Sequence, residues 1–236
     1  MSESTLVFKA FGYNEEGIKE KLAALTAAKS LSVAVSALDA KIEIVCDEEK
    51  EIGCYAFVYN ALKGSIYADE DITIAKAVLD RLALYGKKLS VAESLTGGLV
   101  TDRLVSVPGA SEVLIEGLVT YANESKIARL GVNEFSIRAH GAVSSDVAKQ
   151  MAQGLIEAGA DFAVSTTGIA GPSGGTKEKP VGLTYIGVAD ELGVSATECL
   201  FEGDRSEIRN SAANAALFLL WKKIVKPNDF DTMVIE

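Results

Sequence analysis

Apolar residues recur along the chain with two spacings, one strand-like and one helical, and their alternation predicts the elements. Thr5 to Ala10, Leu31 to Ser36 and Lys41 to Cys46 alternate as strands do, and Cys54 to Tyr59 reads as one more. Asn14 opens a helix with Glu15 and Glu16 in its first turn, where acidic groups suit the dipole, and with Ile18, Leu22 and Leu25 at helical spacing. The charge run from Asp47 to Glu51 reads as a solvated turn. Together these elements predict a small α+β module over residues 1–70. Next, Asp71 reads as an N-cap, with Ile74, Val78, Leu82 and Leu84 on one face of a helix ending at Gly86. From there strands alternate with helices: a strand over 89–93, a helix over 97–106, a strand over 113–121 and a short helix from Asn123. A helix over 145–158 and a strand over 161–167 follow, then neighbouring strands over 182–190 and 194–201, then a helix from about Arg205 to Val225. That order predicts an α/β domain over 71–226, a sheet with helices on both faces. Residues 227–236 carry no clear element and read as a tail.

The stretch Leu89-Ser90-Val91-Ala92-Glu93-Ser94-Leu95-Thr96-Gly97-Gly98 is a strand that breaks into small residues before a helix. Such a turn lies at the carboxyl end of its strand, where open α/β sheets bind ligands. Backbone N–H groups at a helix start are unpaired, so a Ser94 hydroxyl there would sit beside oxyanion or phosphate donors. The competing reading is that Ser94 or Thr96 only caps the helix.

Composition narrows the chemistry. The 236 residues carry a formal net charge of −10, with 48% hydrophobic and 24% charged positions, an ordinary globular balance that argues against bulk affinity for nucleic acid or an anionic membrane. The amino-terminal stretch has neither the basic nor the apolar region of a signal peptide, and no apolar run reaches the roughly 18 residues of a membrane span. Cys46, Cys54 and Cys199 are not spaced as a metal knuckle or a redox pair, and His140 is the single histidine, which leaves little material for a zinc site or a Ser-His-Asp triad. The expectation is a cytoplasmic protein with no metal and no cofactor.

A serine nucleophile then needs a different base, and a lysine held neutral would serve. In Tyr121-Ala122-Asn123-Glu124-Ser125-Lys126, an N-cap at Asn123 puts Lys126 at the third helical position, where the dipole disfavours the ammonium; Glu124 works against this. A solvated surface lysine is the plain alternative. Tyr121 reads either as core packing or as a hydroxyl near the site. The loop from Gly168 to Gly182, rich in glycine and proline, is long for a connection, and Gly174, Gly175 and Thr176 could present N–H groups and a hydroxyl to a phosphate; a mobile surface loop has the same composition. Asp204 and Glu207 stand in capping-box relation, with Arg205 at the helix start either clamping a phosphate or lying on the surface. Ser144 or Ser145 reads as the cap of its helix, and His140 is not expected to act as a base.

Five segments taken together, Ala92-Glu93-Ser94-Leu95-Thr96-Gly97-Gly98, Thr120-Tyr121-Ala122-Asn123-Glu124-Ser125-Lys126, His140-Gly141-Ala142-Val143-Ser144, Thr167-Gly168-Ile169-Ala170-Gly171-Pro172 and Lys179-Pro180-Val181-Gly182, resemble the carboxy-terminal domain of the CinA (competence/damage-inducible) family over residues 72–225. Residues 1–70 are similar to the small KH-like module that precedes that domain. The resemblance implies a three-layer α/β/α sandwich, usually a homodimer, that hydrolyses the carboxamide of nicotinamide mononucleotide to nicotinic acid mononucleotide and ammonia. It places the nucleophile on Ser94, the base on Lys126 and an assisting hydroxyl on Tyr121. The oxyanion falls to the N–H groups from Thr96 to Gly98, and the nucleotide to Thr167, Gly168, Gly174, Gly175, Thr176 and Arg205. Two departures stand out. Leu95 occupies a position that is usually cysteine, and the resemblance does not extend to the large amino-terminal domain of full-length members, so no pyrophosphatase activity associated with that domain is expected of these residues. The alternative function is a pyridine-nucleotide-binding or regulatory protein without turnover. An RNA-binding role for residues 1–70 lacks the GXXG loop that KH domains use.

Overall fold

The computed structural model describes residues 2–225; the tail expected over 227–236 lies outside them. The chain forms two compact units, one up to Ala77 and one from Val78 on.

The first unit holds β1 (Glu3–Phe11), α1 (Glu15–Lys21), β2 (Ala28–Ser36), β3 (Asp39–Asp47), α2 (Glu51–Ala61) and β4 (Ile66–Ala68). Its sheet is antiparallel in the order β2-β3-β1-β4. Phe8, Ile18, Ile42, Ile44, Val58 and Leu62 fill its core. The strand expected over Cys54–Tyr59 is instead α2. Its buried positions, Cys54 and Val58, continue at Leu62 with a spacing of four, which a helix satisfies and a strand does not. The run Asp47–Glu51 includes a short 3₁₀ turn that leads into α2, with Glu51 in the first turn of the helix.

Helix α3 (Ile74–Leu84) follows. It starts at Thr73, whose Oγ1 accepts from the Lys76 N–H; Asp71, expected as its cap, pairs with Lys41 at 2.6 Å instead.

The second unit continues with β5 (Leu89–Glu93), α4 (Leu99–Val105), β6 (Leu114–Val119), α5 (Asn123–Leu130), α6 (Glu134–His140), α7 (Ser145–Glu157), β7 (Phe162–Gly168), β8 (Leu183–Asp190), β9 (Gly193–Leu200) and α8 (Arg205–Ile224). The sheet order is β6-β5-β7-β8-β9, with β5, β6 and β7 parallel and β8 and β9 antiparallel. All five residues of β5 are buried, as a strand covered on both faces requires. One face carries α7 with α5 and α6 beside it, the other α8 with α4, so the unit is a three-layer α/β/α sandwich. Ala92, Ala163 and Ala189 pack under Val147, Met151 and Leu155 of α7. Small residues let that helix lie close: a Cβ on Gly187 would stand 2.4 Å from the Ala148 carbonyl oxygen and 2.5 Å from Ser165 Oγ. Gly187→Ala is therefore expected to destabilise the protein by about 2 kcal/mol or more through overpacking, read as a lower urea midpoint.

Candidate active site

The three parallel strands end on one edge, and the loops that leave them meet there. β5 ends at Glu93, the last of its buried residues, and the turn Ser94–Gly98 leads into α4 through Gly98, whose φ of +101° suits glycine. Glu93 is fully buried and takes four donors. Its Oε2 accepts from the N–H groups of Gly98 (2.9 Å) and Val100 (3.1 Å), and its Oε1 from the Thr101 N–H (2.9 Å) and Thr101 Oγ1 (2.7 Å). This carboxylate, not a serine or threonine, caps α4, which disposes of the capping reading for Ser94 and Thr96. It also removes Gly98 from the expected oxyanion donors, and the Gly97 N–H is spent on the Ser94 carbonyl at 3.2 Å. The Leu95 and Thr96 N–H groups have no protein acceptor among the described residues. Thr96 Oγ1 is buried against Thr166 Oγ1 at 2.7 Å. An oxyanion formed at Ser94 would therefore find its donors in the peptides immediately after Ser94, as at a nucleophile elbow.

Lys126 lies on α5, whose N-cap is Ala122, so it stands at the fourth helical position rather than the third. Its side chain is 1% exposed. Nζ lies 3.0 Å from Ser94 Oγ and donates to the carbonyl oxygens of Thr120 (2.7 Å) and Tyr121 (3.1 Å). Burial lowers its pKa from 10.5 to about 8. Desolvation is the cause, and Glu124 remains exposed on α5 without pairing to it. With two N–H bonds committed to carbonyls, a neutral amine turns its lone pair to the serine and accepts the Ser94 proton.

Ser94, Lys126, Tyr121, Thr167, Gly168 and Arg205 line one cavity of about 210 Å³. Tyr121 is 62% exposed at its mouth, which rules out core packing, and its hydroxyl accepts from Arg205 Nη2 at 3.4 Å. Thr167 Oγ1 donates to the Ala142 carbonyl (2.8 Å), and Lys179 Nζ donates to the carbonyls of His140 and Val143, which fixes the opposite wall. The His140 ring lies outside, beside Asp146. Gly174, Gly175 and Thr176 are exposed and do not line the cavity; Thr176 closes its own loop, accepting from the Lys179 N–H at Oγ1 and donating its N–H to the Lys179 carbonyl. Gly97 and Gly98 shape the turn without lining the cavity.

A second cavity of about 480 Å³ shares Ala170 and Arg205 with the first and is closed by Pro172, Val181, Asp204 and Arg209. Asp204 caps α8 in a full capping box with Glu207, so this helix terminus, too, is taken by a carboxylate. Arg209, which sequence reading missed, donates from Nε to the Leu95 carbonyl (3.0 Å) and from Nη2 to the Thr96 carbonyl (2.7 Å). Its signal was the four-residue spacing from Arg205, which puts both guanidinium groups on one helix face. Glu93 was missed as a cap because it lies five residues ahead of the first donor it serves, Gly98. Among the described residues no group of three or more His, Cys, Asp or Glu could hold a metal, and no helix is long and apolar enough to cross a membrane.

Residues 71–224 match the CinA C-terminal domain. A protein named for competence-damage induction from Caldicellulosiruptor saccharolyticus is 43% identical over 230 residues, 93% of this chain and 56% of that protein. A CinA-like protein from Chlorobaculum tepidum is 44% identical over 202 residues, 83% of this chain and 47% of the relative. The chain thus spans about half the length of the curated relatives it matches. Among solved structures, competence/damage inducible protein CihA from Agrobacterium tumefaciens superposes with a TM-score of 0.61 at 40% identity, covering 62% of this chain and 91% of the other. A CinA superfamily protein from Klebsiella pneumoniae gives 0.61 at 30% identity, over 64% and 95%.

Two predictions follow from this geometry. Glu93→Gln turns an amide donor onto groups that are themselves donors and is expected to cost about 2–4 kcal/mol, measured by chemical denaturation. Lys126 binds its proton less tightly folded than unfolded, so between pH 8 and 10.5 the unfolded chain holds the extra proton and stability rises with pH. The stability of wild type relative to Lys126→Met should gain about 2 kcal/mol between pH 8 and pH 10.

Proposed function

Because the chain belongs to the CinA family and holds a desolvated lysine on a serine hydroxyl, we propose that it is an amidase that hydrolyses the carboxamide of nicotinamide mononucleotide. The observation that carries this reading is the 3.0 Å contact between Lys126 Nζ and Ser94 Oγ, with no carboxylate paired to the amine among the described residues. Neutral Lys126 takes the Ser94 proton as Oγ attacks the carboxamide carbon. The Leu95 and Thr96 N–H groups receive the oxyanion. Collapse breaks the C–N bond, and the proton on Lys126 passes to the departing amide nitrogen, which leaves as ammonia. Water then attacks the ester, gives a proton to Lys126 and releases nicotinic acid mononucleotide, after which the serine recovers its proton.

The two cavities divide the substrate. The smaller, beside Ser94, suits the pyridine carboxamide, with Tyr121 and Thr167 at its walls. The larger offers two guanidinium groups with no carboxylate paired to them among the described residues, which suits the 5′-phosphate. The departure at Leu95 is one of packing: its side chain is buried and would meet a Cβ on Gly168 at 2.9 Å, so it backs the cavity without entering the proton path. For residues 1–70 the KH-like resemblance remains part of this proposal, without a role in RNA binding.

Ammonia release from nicotinamide mononucleotide tests the reading. Ser94→Ala and Lys126→Ala are expected to lower kcat by about 10³-fold or more, as removal of a nucleophile or its base does elsewhere. The wild-type kcat/KM should rise with pH to a plateau with an inflection near 8, because the deprotonated amine is the active form. Binding of the nucleotide by wild type without ammonia release would instead identify a binding protein that has lost turnover.

A further inference from the structure

We propose that Arg209 is the positioning residue of the nucleophile turn, holding the Leu95–Thr96 peptide by its carbonyl, and the peptide after it, so that the Thr96 N–H stays on the serine side. The inference rests on the reading of Ser94 as nucleophile and goes beyond it to what keeps the oxyanion donors aligned.

Most of the turn Ser94–Gly98 is tied down locally: the Ser94 N–H donates to the Thr166 carbonyl (3.0 Å), the Gly97 N–H to the Ser94 carbonyl (3.2 Å), the Leu99 N–H to the Thr96 carbonyl (3.4 Å) and the Gly98 N–H to Glu93. The Leu95–Thr96 peptide is the exception, because its N–H has no protein acceptor among the described residues and its carbonyl none of these local donors. The alignment of the Thr96 N–H must come from the other side of the chain. Arg209 reaches across from α8 and places Nε 3.0 Å from the Leu95 carbonyl and Nη2 2.7 Å from the Thr96 carbonyl, two bonds from one rigid plane. In a trans peptide the N–H points opposite the C=O. A guanidinium that pins the Leu95 carbonyl therefore turns the Thr96 N–H away from itself, and one that pins the Thr96 carbonyl does the same to the Gly97 N–H. The Gly97 N–H is seen where this argument puts it, on the Ser94 carbonyl at 3.2 Å. The serine side is thus the side away from the arginine, and the Thr96 N–H faces it.

The same guanidinium lines the larger cavity, where Nη1 has no acceptor among the described residues. A residue that only held substrate phosphate would need no contact with the turn. Arg209 makes two, with the carbonyls of consecutive residues, from Nε and Nη2 of one rigid plane. Its place on α8 is fixed by the buried neighbours Ile208, Ala212 and Ala213.

The test uses the full chain and a small neutral alkyl fluorophosphonate, which carries no group for the larger cavity. In labelling, Ser94 Oγ forms a P–O bond, its proton passes to Lys126 and fluoride leaves, so the rate, followed by intact mass, reports the nucleophile and its oxyanion donors without any nucleotide. Arg209→Met is expected to slow labelling by roughly tenfold to a hundredfold, less than the ~10²–10³ that loss of one oxyanion donor costs, because the turn is loosened and not deleted. Arg209→Lys should recover part of the rate, and both variants should show cooperative thermal unfolding. With nicotinamide mononucleotide, Arg209→Met should lower kcat and not only raise KM. Labelling of Arg209→Met within twofold of wild type, or an effect confined to KM for the phosphorylated substrate, would overturn the proposal and leave Arg209 as an anion ligand. Ammonia release by the wild type is a separate measurement, so the substrate reading can fail while the labelling comparison still decides the role of Arg209.

Discussion

A lysine amine is buried in this protein with no carboxylate in contact among the described residues, and the rest of the site follows from how that is tolerated. Moving an ammonium out of water without a counter-ion is costly, and proteins answer by shifting the group toward its neutral form. Here two backbone carbonyls, of Thr120 and Tyr121, hold the amine in place without charging it, and the third position of the nitrogen is left for Ser94. A carboxylate in contact would make the same lysine more stable and useless as a base. The constraint therefore extends to the nearest acid: Glu93 adjoins Ser94 in sequence, yet its oxygens are fully engaged by α4 and Thr101. Capping the helix and keeping negative charge off the lysine are one arrangement.

The two helix termini near the site make the same point. A free helix amino terminus attracts anions, but α4 is capped by Glu93 and α8 by Asp204, so neither offers its N–H groups to a ligand. Positive charge is delivered instead by Arg205 and Arg209, one turn apart on α8. Their roles divide by contact. Arg205 binds the Gly171 carbonyl and the Tyr121 hydroxyl and so joins the two cavities, while Arg209 binds the turn that carries Ser94. Side chains can aim charge where a helix axis cannot.

The sequence was most legible where a signal is local. Strand and helix periods located β5, β7, α7 and α8, and the caps at Asn14, Ser144 and Asp204 stand where side-chain chemistry put them. Legibility failed where two distant segments decide. Cys54–Tyr59 carries enough β-branched and aromatic character to pass for a strand, and only its burial against β1 and β3 selects the helix. Asp71 resembles a cap until Lys41, thirty positions away, claims it. Gly174, Gly175 and Thr176 have the composition of a phosphate loop, but Lys179 turns the segment back on itself. In the site, Ser94, Lys126, Tyr121 and Arg205 were candidates from local chemistry, the motif resemblance chose between the alternatives and added Thr167, and the structure gathers all five in one cavity. Glu93 and Arg209 were not named, because each acts chiefly on backbone groups of a distant turn or helix start; the spacing of Arg209 from Arg205 marks its helix face but not the carbonyls it reaches.

The mixed sheet explains why those arginines arrive at all. β5, β6 and β7 run parallel, so Ser94, Thr120 and Gly168 all lie at their carboxyl ends, and the chain crosses β5 between β6 and β7, the switch point where open α/β sheets form a crevice. A parallel continuation would have needed a crossover helix after β7. The antiparallel pair does something different: β8 leaves the active edge and β9 returns to it, with Leu183 at the start of one strand opposite Leu200 at the end of the other. Helix α8 therefore begins at the active edge, and its first two turns, with Arg205 and Arg209, are delivered beside Ser94 after the long loop 169–182 and the two short connections that follow β8 and β9. Reversing the direction of two strands is what brings positive charge beside a serine that the parallel strands alone would have left without it.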